Sequence, residues 1–126
     1  MMSEDGLKLK YFPVLGHPET LEVRIQGRID AESAPDFYQG ILNKVGEGYR
    51  LFVFDCRHFG YSSSRGLEAL LAIYKIVNIK EGKLILYGVS SRVMKLINLV
   101  EFERFFGIFG NREQAFKSLG IIVMKE

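Results

Sequence analysis

The sequence has no tryptophan, one cysteine and two histidines in 126 residues. With Cys56 alone, no disulfide can form within the chain, which suits a reducing cytoplasm. Cys56 and His58 are one residue apart, but His17 is distant and no further cysteine exists. Such a set lacks the clustered ligands of a structural zinc site, so we expect no metal.

Long apolar runs and a strong excess of one charge are also missing. The first ten residues, MMSEDGLKLK, contain no apolar segment of signal-peptide length, and no stretch is long enough to cross a bilayer. The formal net charge is only +2, with lysine and arginine spread along the chain, which argues against a nucleic-acid surface. We therefore expect a cytoplasmic protein that contacts neither membranes nor nucleic acid directly.

The composition is typical of a globular protein, with 48% hydrophobic and 25% charged residues. The length fits one domain with a substantial core. We predict a single domain over residues 1–126, with its core from about residue 7 to residue 120.

Five segments are predicted to be strands: 7–15, 20–29, 50–56, 83–89 and 108–110. Apolar and polar side chains alternate in residues 20–29, as in a half-buried strand, which predicts that Glu22 faces solvent. Pro13 places the first strand at an edge or a bulge. The run RLFVFDC (50–56) is almost entirely apolar, as in a central strand covered on both faces.

Four helices are predicted, at 33–45, 64–77, 90–106 and 111–120. Ser33 is expected to be the N-cap of the first, with Asp36 at capping-box spacing. The order strand, strand, helix, then three further strand–helix pairs implies parallel pairing through right-handed crossovers. The two leading strands depart from this order, so we predict an α/β domain with a mixed central sheet flanked by helices.

The stretch FGYSSSRGLEALLAIY (59–74) places three serines and an arginine before a predicted helix. A helix N-cap explains one serine. A nucleophile, a phosphate cradle or a phosphorylation site would also use these residues. Asp55 and His58 lie nearby, but GYSSSRG lacks the GxSxG of a hydrolase elbow and the glycine patterns of nucleotide loops. We predict no catalytic residue, and Cys56 is expected to be a small core side chain.

Three segments resemble the anti-sigma factor antagonists, which are bacterial STAS-domain proteins. They are GRIDAESAPDF, VFDCRHFGYSSSRGLEALLAIYK and LILYGVSSRVMKLINLVEFERFFGIFGNREQAFKSL. The family usually has Gly-Glu-Leu-Asp before a variable pair and Ala-Pro in the first. In the second it has Leu-Asp-Leu, a spacer and Asp-Ser-Ser/Thr-Gly-Leu-Gly. Their order and spacing cover nearly the whole chain.

The resemblance implies a non-catalytic module, without cofactor, that binds an anti-sigma factor with serine kinase activity. That kinase would phosphorylate the module at the helix start, and a serine phosphatase would reverse the change. Aligned without a gap from Asp55 to Gly66, the family's phosphorylated serine falls on Ser64. Ser63 stands where the family has Asp, and Arg65 where it has Ser or Thr. Ser62 and Ser63 therefore remain alternative acceptors.

The family places part of the same docking surface at the residues matching Asp30 and Ala31. We expect Asp30 and the segment Ser62–Arg65 to be exposed at one end of the domain. Phosphate adds a charge of about −1.5 to −2, which a helix N-terminus favours, so modification would change binding without unfolding. Two other hypotheses remain: a STAS-type module that binds a small anion or nucleotide at this helix start, and a scaffold whose serines are never modified.

Overall fold

The computed structural model describes residues 6–123. Its elements are β1 (Lys8–Val14), β2 (His17–Ile29), α1 (Ala34–Gly46), β3 (Leu51–Ser62), α2 (Ser64–Ile79), β4 (Lys83–Tyr87), α3 (Ser91–Leu99), β5 (Gly107–Phe109) and α4 (Arg112–Ser118). One turn of 3-10 helix, Phe102–Arg104, precedes β5. The predicted order of strands and helices and the α/β class are confirmed.

The strands form one mixed sheet in the order β1-β2-β3-β4-β5. β1 is antiparallel to β2, and the other neighbours are parallel. Pro13 lies at a register shift in edge strand β1, where its missing N–H costs no ladder bond. Residues 52–56 of central strand β3 are all buried, as the apolar run predicted.

Alternate residues of the sheet supply two cores, one on each face. The larger core joins the sheet to α1, α2 and α3, and includes Val23, Ile25, Phe37, Ile41, Phe52, Phe54, Leu70, Ile73, Leu86 and Ile97. The smaller core includes Val53, Ile85, Tyr87, Ala115, Phe116 and Ile121. The second face is thus covered by α4, and this has consequences for the polar side chains of β2.

Glu22 is buried, with only 6% of its surface exposed, so the prediction that it faces solvent is wrong. It belongs to the face that α4 covers. The Tyr87 hydroxyl donates to Glu22 Oε2 at 2.6 Å, while Arg112 donates from Nε to Oε2 at 3.0 Å and from Nη2 to Oε1 at 3.0 Å. These charge-assisted bonds offset the cost of burying a carboxylate.

A second buried carboxylate, Asp55, lies on the same face. Its side chain is 1% exposed and accepts from Arg57 Nη2 at 2.8 Å and from Arg24 Nε at 3.2 Å. Burial would raise the pKa of Asp55, but the hydrogen bonds from Arg57 and Arg24 outweigh it and lower the pKa to about 2. Arg57 also lies 3.4 Å from the Tyr87 hydroxyl, so the two buried carboxylates belong to one network.

Two predicted boundaries differ most from the structure. β3 does not end at Cys56 but continues to Ser62, pairing with β2 through two register shifts. The helix predicted over 90–106 ends at Leu99, because Glu101 adopts a left-handed backbone (φ 57°) before the 3-10 turn. The first difference matters for function, since most of the stretch before α2 is strand and not loop.

We expect the network around Asp55 to make stability depend on acidity. Since its folded pKa of about 2 lies below the ordinary 3.8, the stabilisation is present above pH 4 and is lost as the pH falls toward 2. The shift corresponds to about 2 kcal/mol of unfolding free energy. Urea unfolding at several pH values should show this loss for the parent and for the exposed-site control Asp36→Asn. A parent-like acid dependence in Asp55→Asn would contradict the assignment.

Gly66 allows α2 to start directly against β2. A Cβ at this position would overlap Ser62 Oγ and lie 2.8 Å from the Ile29 carbonyl oxygen. We expect Gly66→Ala to lower the unfolding free energy by about 1–3 kcal/mol. The matched control is Gly46→Ala, because a Cβ there meets nothing within 4 Å, and this change should be neutral or slightly stabilising. Equal melting temperatures for both variants would contradict the close approach.

Candidate functional site

The three consecutive serines have three different environments. Ser62 ends β3, is 2% exposed and donates its hydroxyl to the Ser63 carbonyl at 3.0 Å. Ser63 is half-buried and caps α2, its hydroxyl accepting from the Gly66 N–H at 3.3 Å. Ser64 is the exposed first residue of α2, with the exposed Arg65 beside it. The expectation that the whole segment Ser62–Arg65 is exposed is therefore wrong for Ser62.

Asp30 follows β2 directly and organises the turn before α1. Its Oδ1 accepts from the Ser33 N–H at 3.0 Å and from the Glu32 N–H at 3.1 Å. Its Oδ2 lies 3.2 Å from Nε of Arg28, and its side chain is 31% exposed. The Ser33 N–H lowers the pKa of Asp30, with a smaller contribution from the Arg28 charge. Ala31 is exposed.

Ser33 lies at the N-cap position of α1, as predicted, but its side chain makes no capping hydrogen bond to the helix. Its hydroxyl instead accepts from the Asp30 N–H at 3.0 Å and lies 3.1 Å from Asp30 Oδ1. Asp30 and Ser33 thus bond to each other, which fixes the Asp30 carboxylate at the end of β2.

Both segments lie at the same end of the sheet. β2 and β3 are parallel, with Ile29 in register with Ser62, so their carboxyl ends point the same way. The Ser63 N–H extends this pairing by donating to the Ile29 carbonyl at 2.8 Å. Backbone bonds alone therefore bring Asp30 close to the start of α2.

Two reactive side chains that precede the serines in β3, Asp55 and Cys56, are buried. Asp55 is held by Arg24 and Arg57 on the α4 face. Cys56 is buried, and burial raises the pKa of its thiol, which keeps it protonated. In the part of the chain that the structure describes, no group of three or more acidic, histidine or cysteine side chains is placed to hold a metal.

Sequence reasoning missed one pocket near this end. It is lined by Gly27, Arg28, His58, Gly60, Tyr61 and Arg92. No sequence signal groups these residues, because they come from β2, β3 and α3 and are brought together only by the fold. None of the helices within residues 6–123 has the length and apolar character needed to span a membrane.

The chain is similar to known proteins in sequence and in fold. The anti-sigma-B factor antagonist of Listeria monocytogenes is 28% identical over 80 residues, covering 63% of this chain and 69% of that protein. An anti-sigma factor antagonist structure from Mycobacterium paratuberculosis has a TM-score of 0.81 at 21% identity, covering 96% of this chain and 100% of that one.

The unphosphorylated anti-sigma factor antagonist SpoIIAA gives a TM-score of 0.74 at 16% identity, over 94% of this chain and 100% of that one. Its phosphorylated form, from Bacillus, gives 0.67 at 15% identity, over 90% and 99%. At these identities the two structures show the fold alone. The sequence model of the STAS domain family matches residues 11–115. This match confirms the family that the three sequence segments indicated. The chain belongs to the STAS domain family.

Proposed function

We propose that the protein is an anti-sigma factor antagonist that acts by binding and not by catalysis. Its partner would be an anti-sigma factor, contacted through Asp30, Ala31, Ser63, Ser64 and Arg65, with Ser62 beneath this surface. The names of the Listeria relative and of the Mycobacterium structure support this proposal. The observation that carries it is the exposed Ser64 at the start of α2, on the same end of the sheet as Asp30.

Phosphorylation of Ser64 by a serine kinase activity of that anti-sigma factor would regulate the binding, and a serine phosphatase would reverse it. Ser64 is the best placed of the three serines. Ser62 is buried, and its hydroxyl donates to the Ser63 carbonyl. The Ser63 hydroxyl caps the helix. The existence of SpoIIAA structures in both phosphorylation states gives a precedent in the same fold.

The physical effect of phosphate at Ser64 would be confined to the surface. The first-turn N–H groups of α2 and the helix dipole favour an anion, and the neighbouring Arg65 can pair with it. The fold would therefore accept the phosphate. A partner surface packed against Ser64 would have to desolvate about two negative charges, which is far more costly. Binding would be lost while the fold is kept.

Ser63 is one of the two residues beside Ser64 that depart from the family pattern, the other being Arg65. Its hydroxyl caps α2, and Asp is an equally good N-cap. A Ser63→Asp change should therefore preserve the start of the helix while restoring the family's negative charge next to Ser64. This makes Ser63→Asp a clean probe of kinase recognition, separate from folding.

We expect Ser64→Ala to bind the anti-sigma factor and to resist its kinase. Ser64→Asp adds only one charge with a different geometry, so it should stay folded but bind more weakly than the parent. Phosphorylation of the parent should be slow and should become faster in Ser63→Asp. The measurement is intact mass after incubation with the cognate kinase and ATP, with affinity measured by calorimetry.

Ser63→Ala is the matched control, since it removes a neighbouring hydroxyl and leaves Ser64 in place. It should still be phosphorylated, with some loss of stability because the cap is lost. Undiminished phosphorylation of Ser64→Ala would move the site to a neighbour. A pull-down from the host lysate with the unmodified parent should recover an anti-sigma factor. If it recovers none, the function itself is contradicted.

We expect the charge of Asp30 to contribute to partner binding. Asn at this position keeps an oxygen that accepts from Glu32 and Ser33, so Asp30→Asn should leave the melting temperature nearly unchanged. Loss of the charge should weaken anti-sigma factor binding by about three- to tenfold, mainly through slower association. The control is Asp36→Asn, an exposed change within α1. Equal affinities for both variants and the parent would remove Asp30 from the site.

A further inference from the structure

A basic pocket adjoins the proposed partner surface, and that surface uses none of its lining residues. The cavity has a volume of about 570 Å³ and is lined by Gly27, Arg28, His58, Gly60, Tyr61 and Arg92. This volume lies within the range of small-molecule sites, roughly 300–1,000 Å³. The glycines leave parts of its wall as bare backbone, so a ligand can approach closely.

Two guanidinium groups share one aromatic ring in this pocket. Cζ of Arg28 lies 5.3 Å from the centroid of the Tyr61 ring, and Cζ of Arg92 lies 5.7 Å from it. Both distances are those of cation–π contacts. Two positive charges therefore lie next to the same ring. A neighbouring anion would relieve their mutual repulsion.

The protein neutralises this pair only in part. Asp30 bonds to Arg28 with its Oδ2 at 3.2 Å from Nε. Arg92 is exposed and, within residues 6–123, has no carboxylate partner. Two guanidinium charges against one carboxylate leave the pocket positive, and the exposed His58 supplies a further polar group at its edge.

We propose that this pocket binds a small ligand bearing a phosphate group, held by Arg28 and Arg92. The planar fork of arginine donates paired hydrogen bonds that match the oxygens of a phosphate. The cavity is larger than an inorganic phosphate ion needs, so a phosphate ester with an organic body fits it better. The site is distinct from the start of α2, because its cations come from β2 and α3.

Arg28 links the pocket to Asp30. A ligand phosphate bound to Arg28 would lie near the Asp30 carboxylate, and the two negative charges would repel each other. Removing the charge of Asp30 should therefore strengthen ligand binding. Nonspecific attraction of an anion to arginines elsewhere on the surface would not give this result.

The test is a nuclear magnetic resonance titration of the isotope-labelled chain with inorganic phosphate and with glycerol 3-phosphate. Sodium chloride at matched ionic strength is the reference. We expect saturable shifts at the amides of Gly27, Gly60 and Tyr61, with a dissociation constant in the millimolar range or below. Tighter binding of the ester would identify an ester ligand, and equal binding would identify free phosphate. Both results support the pocket.

Arg28→Gln and Arg92→Gln should each weaken binding about tenfold or more, as expected for the loss of a charge-assisted hydrogen bond. Asp30→Asn should strengthen it. The matched control is Arg104→Gln, which removes an exposed arginine that also stacks on a ring, that of Phe105 at 5.3 Å, outside the pocket. The proposal is overturned if chloride gives the same shifts, if no saturation occurs, or if Arg104→Gln weakens binding as much as Arg92→Gln. None of these results depends on the anti-sigma factor.

Discussion

The parallel pairing of β2 with β3 is the interaction on which the rest of the structure depends. It places Ile29 next to Ser62 and continues in the bond from the Ser63 N–H to the Ile29 carbonyl. The same pairing sets Arg28 opposite Tyr61, which creates the basic pocket. A shift of one residue would turn the side chains of β3 to opposite faces, and both the proposed partner surface and the pocket would be lost.

The α4 face shows how the same sheet accommodates charge. Glu22 and Asp55 are buried there, which is costly for carboxylates, and each is bonded by arginine. Removing one arginine or one carboxylate would leave its partner as an uncompensated charge. The network therefore holds β2, β3, β4 and α4 in fixed positions relative to one another. It lies on the face away from α1 and α2, which separates the groups that maintain the sheet from those proposed to bind a partner.

Periodicity and turn residues predicted most of the fold, because they depend on local rules. The edge position of Pro13 and the buried run of β3 both follow from such rules. The burial of Glu22 could not be predicted, since it depends on Arg112, distant in sequence and brought close by the fold. The end of α3 was missed because no residue in 99–102 is a glycine or proline that would predict the left-handed backbone of Glu101.

In the candidate site, the family resemblance pointed to Ser64. The structure adds that Ser64 is exposed, whereas the hydroxyls of Ser62 and Ser63 are bonded within the protein.

The different environments of the three serines would allow the proposed binding switch to lie on a stable fold. Ser62 and Ser63 use their hydroxyls within the protein, and Gly66 lets α2 start against the Ile29 carbonyl. These contacts hold the first turn without any contribution from the Ser64 side chain. A change at Ser64 therefore alters charge and bulk on a surface whose backbone is already fixed. Because the neighbouring cation Arg65 lies outside the buried network, an anion added at Ser64 would leave undisturbed the carboxylates that hold the sheet together.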